Sequence, residues 1–208
     1  MFDVIRYSEA ADAIVEAGRF LYSRGWSPAT SSNYSSRIDD QHIAITVSGR
    51  HKGQLAAGDV MVVDLEGNPI QSNARSSAET KLHTVLYQVF PSIGAVLHTH
   101  SVNATVLSRL SAANGPLVLE GYELQKAFEG IDTHESTLTV PVFDNTQDIS
   151  ALATKTAKWF SDHPDQPGYL IRGHGLYTWG STMEDCLRHV EAFEFLFECE
   201  LETMRVRP

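Results

Sequence analysis

The chain has 208 residues, of which 42% are hydrophobic and 20% charged, with a formal net charge of −10 at pH 7. These proportions are ordinary for a globular protein, but nucleic-acid binding needs a basic surface, so we expect no nucleic-acid partner. No stretch approaches the roughly 20 apolar residues of a membrane span and the N-terminus lacks the pattern of a signal peptide, so we also expect no membrane partner.

The first half of the chain predicts a helix, a loop, two strands and a second helix. The N-terminal segment predicts an amphipathic helix, and the Ser/Gly/Asn-rich segment 23–39 has the composition of a loop. Strands are predicted in 42–49 and 59–68, the second closing on a Gly-Asn turn. Segment 76–90 predicts a helix whose Ser76 and Glu79 have the spacing of a capping box.

The second half continues the alternation of helices and strands. We predict strands in 93–100 and 136–143, helices in 101–110 and 148–163, and two short strands around a Gly-His-Gly turn in 168–180. Segment 115–128 is ambiguous. A long helix over 181–206 would open with a capping box of Ser181 and Glu184. The pattern favours a single α/β domain over residues 1–208, with a mixed or mainly antiparallel central sheet flanked by helices.

Both cysteines, Cys186 and Cys199, fall in the last predicted helix. Thirteen residues of helix rise about 20 Å, which is far beyond the reach of a disulfide. Free thiols are typical of a reducing compartment, so we expect a cytoplasmic location.

A histidine pair, His98 and His100, ends the apolar run "IGAVLHTH". On a strand, residues two apart point to the same face, so both imidazoles could bind one metal ion. A buried core histidine beside a surface histidine is an equally good interpretation of the pair alone. Among the other histidines His174 stands out, because it lies between two glycines and follows a short apolar strand, although a plain loop histidine explains it as well.

Acid–base candidates lie on both sides of the histidine pair. Glu79 opens the helix that leads into the His98 strand, although a capping-box glutamate needs no catalytic role. Glu120 and Glu123 are further candidates, with a solvated helix face as their simpler explanation. His83 lies one turn after Glu79; we interpret it as a packing residue, while a role in support of the site stays open.

Three segments before the histidine pair could bind a phosphate. Segments 29–36 and 47–52 offer hydroxyls, a glycine and backbone N–H groups, and Lys52 adds a cation. Ser76 and Ser77 lie at a predicted helix N-terminus, which favours an anion. The residues that we predict to bind a phosphate are Asn33, Ser48, Gly49, Lys52 and Ser77.

Taken together, these motifs resemble the class II aldolase/adducin family over nearly the whole chain. The ordered set is Asn33, Ser48-Gly49, Ser76-Ser77, Glu79, His98/His100 nineteen positions after Glu79, and His174. The resemblance implies a three-layer α/β/α fold with a central, mainly antiparallel sheet. It also implies one Zn²⁺ per subunit held by His98, His100 and His174, a small sugar-phosphate substrate, and a homo-oligomer, often a tetramer.

Within the family, segments 76–101, 119–131 and 169–180 look most like dehydratases that remove water from a sugar phosphate. Some related dehydratases place a catalytic carboxylate after the glutamine that is Gln125 here, and carry an amide where Glu79 stands. We assign acid–base work to Glu79 first and to Glu123 second. Family aldolases use a tyrosine from the C-terminal tail, and no tyrosine follows Tyr177 here. An aldolase or epimerase, a non-catalytic adducin-like interaction domain and a zinc hydrolase remain the alternatives.

Overall fold

The chain is described by a computed structural model over residues 2–111 and 115–206. Seven strands form one sheet in the spatial order β3-β2-β1-β4-β9-β8-β7, and all neighbours are antiparallel except β7 and β8. Two further strands, β5 and β6, form a separate antiparallel pair. The strands are β1 Asn33–Arg37, β2 His42–Thr46, β3 Val60–Asp64, β4 Ala95–Thr99, β5 Leu117–Glu120, β6 Thr137–Val140, β7 Val142–Phe143, β8 Gly168–Ile171 and β9 Gly175–Gly180.

Helices cover both faces of the seven-stranded sheet. One apolar cluster packs α1 and the beginning of α5 against one face, and a second cluster packs α2 and α4 against the other. This arrangement confirms the predicted three-layer α/β/α fold with a mainly antiparallel sheet. The helices are α1 Val4–Ser23, α2 Thr80–Val89, α3 Val102–Leu110, α4 Ile149–Asp162 and α5 Met183–Val206.

One predicted loop contains a strand of the sheet. Segment 23–39 holds β1, because its hydroxyl groups find partners inside the protein instead of in solvent. Tyr34 is buried in the core, and the Ser35 hydroxyl contacts His83 and Tyr87. Buried polar groups are tolerated when they are hydrogen-bonded, so a serine-rich composition was a poor guide here.

Both predicted capping boxes are wrong. Helix α2 begins at Thr80, and the Glu79 side chain makes no capping hydrogen bond. At the start of α5 the cap is Thr182, whose hydroxyl oxygen accepts from the backbone N–H of Asp185. The Glu79 carboxylate is therefore free for contacts elsewhere.

The ambiguous segment 115–128 contains β5 and a short 3₁₀ turn at Glu123–Ala127. Cys186 and Cys199 both lie on α5 and neither forms a disulfide, as expected. Within residues 2–111 and 115–206, no helix is both long and apolar enough to span a membrane.

Candidate metal centre

His98 lies in the middle of the sheet, held on both sides by neighbouring strands. On β4 it pairs with Asn33 of β1 and with Tyr177 of β9. Its imidazole is fully buried and stacks on the Tyr177 ring. The Nδ1–H group donates to the carbonyl oxygen of Leu176 at 2.9 Å, which leaves the Nε2 lone pair available as a ligand.

The three predicted ligands, His98, His100 and His174, converge on one point. His100 follows β4, and His174 lies in the turn between β8 and β9. Their ring centroids are 4.5 to 4.9 Å apart, and one nitrogen from each ring lies within 4.8 Å of the others. The Nε2 atoms of His98 and His174 are 3.3 Å apart. Two nitrogens bound to one tetrahedral zinc at about 2.0–2.1 Å have roughly this separation, so the residues fit the ion.

The protonation states of these histidines also suit a metal. Burial lowers the pKa of His98 well below its usual value, and the neighbouring charges of His100 and His174 lower it further. Burial lowers the pKa of His100 to about 4, with smaller contributions from His174 and Lys52. Because only neutral imidazole binds a metal, protons do not compete for these two side chains at pH 7.

Glu79 completes one side of the histidine cluster. Its Oε2 atom lies 3.5 Å from Nε2 of His98, and its Oε1 atom lies 3.4 Å from Nε2 of His174. The amide nitrogen of Asn33 donates to Oε2 at 2.8 Å. The carboxylate therefore faces the position where the three histidines would hold an ion.

A cavity of about 340 Å³ opens beside the cluster. His100, His174 and Glu79 line it, and so do all the predicted phosphate-binding residues: Asn33, Ser48, Gly49, Lys52 and Ser77. Lys52 is buried, and its amine donates to the carbonyl oxygens of Arg50 at 2.7 Å and Thr30 at 3.4 Å. Burial lowers its pKa to about 8, so it remains mostly charged at pH 7.

Glu123 lies elsewhere. It is exposed on the 3₁₀ turn after β5, forms an ion pair with Lys126, and lies 3.7 Å from His134. Glu123 is absent from the residues that line the cavity, so within one subunit the structure does not bring this second acid–base candidate to the histidines.

Other polar residues around the site were missed or undervalued at the sequence level. Ser35 and Tyr87 were missed, and His83 was ranked as a packing residue. The spacing of these residues is the sequence signal that indicates them. Asn33 and Ser35 are two apart on a strand, while His83 and Tyr87 follow Glu79, the residue before α2, at intervals of four. Both intervals place side chains on one face.

Comparison with known proteins places this geometry in a family. The model of the class II aldolase and adducin N-terminal domain matches residues 12–201. A methylthioribulose-1-phosphate dehydratase of Marinobacter nauticus is 77% identical over 207 residues, and one of Hahella chejuensis is 63% identical; each alignment covers 100% of both chains.

Solved structures agree in fold. YgbL of Klebsiella pneumoniae, a putative aldolase/epimerase/decarboxylase, superposes with a TM-score of 0.81 at 24% identity, covering 97% of this chain and 92% of that one. L-fuculose-1-phosphate aldolase of Thermus thermophilus gives 0.76 at 23% identity, with 95% and 96% coverage. The predicted resemblance is thus confirmed, and the chain belongs to the class II aldolase and adducin N-terminal domain family.

Proposed function

We propose that this chain is a zinc-dependent lyase that dehydrates 5-methylthioribulose 1-phosphate to 2,3-diketo-5-methylthiopentyl 1-phosphate. The observation that carries the proposal is the convergence of three histidine donors and one carboxylate at the mouth of a cavity with a buried cation. Full-length relatives that carry the dehydratase name support the choice of substrate.

The residues divide the work by position. His98, His100 and His174 would hold the zinc ion, which would supply Lewis acidity to the substrate carbonyl. Glu79 takes the proton from the neighbouring carbon, C3, and the hydroxyl at C4 then leaves with a proton as water. The enol that this leaves tautomerises to the 2,3-diketone. Because Asn33 already donates to Oε2 of Glu79, the proton is accepted at Oε1.

The phosphate binds at the other end of the cavity. Lys52 provides the charge there, and Ser48, Gly49 and Ser77 provide hydroxyl and backbone groups. Asn33 lines the same cavity, but its amide nitrogen already donates to Ser77 and Glu79, so its main contact is with the carboxylate.

Mass spectrometry tests the reaction directly. Zinc-loaded protein incubated with 5-methylthioribulose 1-phosphate should yield a product lighter by one water. An aldolase would instead yield two carbonyl fragments, and an epimerase a product of unchanged mass. Either result, or an unchanged substrate, would contradict the proposal.

Metal analysis tests the ligand set. The parent protein should hold one zinc per chain, and His98→Ala and His174→Ala should lose it, since each variant leaves two histidine donors. His163→Ala is the matched control, because His163 is exposed at the end of α4, outside the cavity. Full zinc occupancy in either ligand variant would remove that residue from the site.

We also propose a setting for the reaction: methionine salvage in the cytoplasm, by a homotetramer. The name of the dehydratase relatives supports the pathway. The free cysteines on α5 support the location, and the exposed apolar side chains of Val102, Val106 and Leu110 on α3 support the assembly, because a second subunit would cover them. Sedimentation of the pure protein tests the assembly, and a monomer at micromolar concentration would contradict it.

A further inference from the structure

A line of buried polar side chains runs from the interior of the protein to Glu79. It consists of Tyr87, Ser35, His83, Asn33 and Glu79, and we name it the hydrogen-bond relay. Tyr87 and His83 lie on α2, Ser35 and Asn33 lie on β1, and these four side chains are at most 4% exposed. A polar network so fully buried is costly to build unless every member has a partner.

Each hydrogen bond of the relay has a definite donor and acceptor, and the Glu79 carboxylate determines which group is which. A carboxylate only accepts hydrogen bonds, so the Asn33 group that faces Oε2 at 2.8 Å is its NH₂ group. The same NH₂ group donates to Ser77 Oγ at 3.2 Å, which uses both of its hydrogens. The Asn33 oxygen Oδ1 is thereby turned towards Nε2 of His83, with which it is in close contact.

The direction continues through the imidazole. Because Asn33 Oδ1 can only accept, His83 must carry its proton on Nε2, and its Nδ1 atom must accept. The Ser35 hydroxyl lies 2.8 Å from Nδ1 and donates to it. The Ser35 oxygen in turn accepts from the Tyr87 hydroxyl at 3.0 Å. Every hydrogen in the relay therefore points towards Glu79.

Electrostatics agrees with this assignment. Burial lowers the pKa of His83 to about 3, so the imidazole stays neutral at pH 7 and keeps one N–H and one lone pair. The Tyr177 ring packs edge-on against His83 at 5.6 Å, which closes its apolar side.

We propose that His83 is a positioning residue for Glu79: its Nε2–H group locks the Asn33 amide in the one orientation that binds Oε2 and leaves Oε1 free to accept the substrate proton. This inference rests on the proposed function for the identity of the reaction, but the lock itself is a property of the protein alone. The relay thus makes the two carboxylate oxygens of Glu79 unequal.

Kinetics with matched variants tests the proposal. His83→Phe fills the space without a donor, whereas His83→Gln can both donate to Asn33 and accept from Ser35. In His83→Phe we expect kcat per bound zinc to fall about tenfold or more, with KM and zinc content close to those of the parent. His83→Gln should recover most of the loss.

His189→Phe is the control. His189 is also buried, and it contacts the backbone at Trp179 and Glu129, outside the relay. It should lose stability but keep kcat per bound zinc. The proposal is overturned if His83→Phe keeps the parent kcat, or if the Gln and Phe variants of His83 lose kcat equally.

A second measurement needs neither substrate nor zinc. Nitrogen NMR of the histidine side chains in the zinc-free protein, with His83→Gln to assign the signals, should show His83 protonated at Nε2 only. A proton on Nδ1 would overturn the inference even if the protein is a dehydratase. A parent protein without dehydratase activity would overturn the proposed function. The position of the proton on His83 would still test the inference in that case.

Discussion

The imidazole of His98 lies nearly flat against the phenol ring of Tyr177, with ring centroids 4.0 Å apart and planes 15° from parallel. The two residues are direct partners on β4 and β9, so the sheet register itself brings the rings together. On its other face Tyr177 stacks on Tyr169 at 4.8 Å. The orientation of a proposed metal ligand is therefore fixed by a column of aromatic rings.

Replacing Tyr177 should weaken metal binding through this stack. Tyr177→Leu removes the ring that supports His98, and we expect zinc affinity to fall by about tenfold or more, the usual effect of losing a side chain that orients a ligand. Tyr177→Phe keeps the ring that stacks on His98 and removes only the hydroxyl, so it should keep the parent zinc affinity. Competition with a chelator measures both. Equal affinity in the Leu variant would contradict the role of the stack.

Glu79→Gln should separate metal binding from turnover. The amide keeps the shape of the side chain but cannot take a proton, so zinc should stay bound while kcat falls by about 10²–10⁴-fold, the usual contribution of a general base. Glu123→Gln serves as the matched control, because Glu123 is exposed and paired with Lys126. Steady-state kinetics with zinc analysis checks both variants. A large loss in Glu123→Gln with normal turnover in Glu79→Gln would reverse the assignment.

Gly175→Ala should disturb the histidine cluster by displacing the backbone of β9. A methyl group at this position would lie 1.9 Å from the Thr99 carbonyl oxygen and 3.3 Å from the His98 ring, so β9 must move away from β4. We expect a loss of about 1–3 kcal/mol in the free energy of unfolding, together with weaker zinc binding. Gly58→Ala meets no atom within 4 Å and should change neither quantity. Denaturant unfolding and metal analysis test the pair; equal stabilities would show that the sheet adapts.

Glu194 on α5 should make stability depend on pH. The carboxyl group is buried, and burial raises its pKa to about 7; hydrogen bonding from Ser101 and Asn103 opposes this shift, and the charge of Glu198 reinforces it. In the unfolded chain the pKa of the Glu194 carboxyl group is near its ordinary value of 4.5, so between pH 4.5 and 7 the unfolded state has lost a proton that the native state keeps. Stability therefore falls as pH rises through this window.

The side chain of the Glu194→Gln variant stays neutral, so the variant should lack this fall in stability with rising pH. The difference in unfolding free energy between the variant and the parent should grow by about 3 kcal/mol from pH 4 to pH 8 in favour of the variant. Denaturant titrations at equal metal loading measure it. A difference that is constant over this range would show that folding does not raise the pKa of Glu194.

The histidine cluster shows what could be predicted from the sequence. The i and i+2 spacing of His98 and His100 on an apolar strand is a local pattern, and the glycines around His174 mark a tight turn, so geometry alone made these residues candidates. Convergence of His174 with the pair depends on β9 lying next to β4, a contact between residues more than 70 apart. Only the family resemblance predicted that His174 would lie beside the pair.

The role of the Glu79 side chain could not be predicted in the same way. A helix-start pattern of Ser76 and Glu79 is compatible with a capping box, and local spacing cannot tell whether the carboxylate turns back to the helix or across to β4. Likewise, the serine-rich segment around Ser35 has the composition of a loop until α2 supplies His83 and Tyr87 as buried partners. In both cases tertiary contacts overrode a local preference.

The unequal oxygens of Glu79 have a stereochemical consequence. A carboxylate pinned at Oε2 presents Oε1 from one side only. In the proposed reaction the substrate would be held at one end of the cavity by its phosphate and at the other by the metal. The carbon that loses its proton can then be approached on a single face. Two sugar phosphates that differ only in handedness at that carbon would occupy the cavity alike, yet only one would offer its hydrogen to the base. The fixed orientation of the Asn33 amide would thus make the protein selective for one configuration at that carbon.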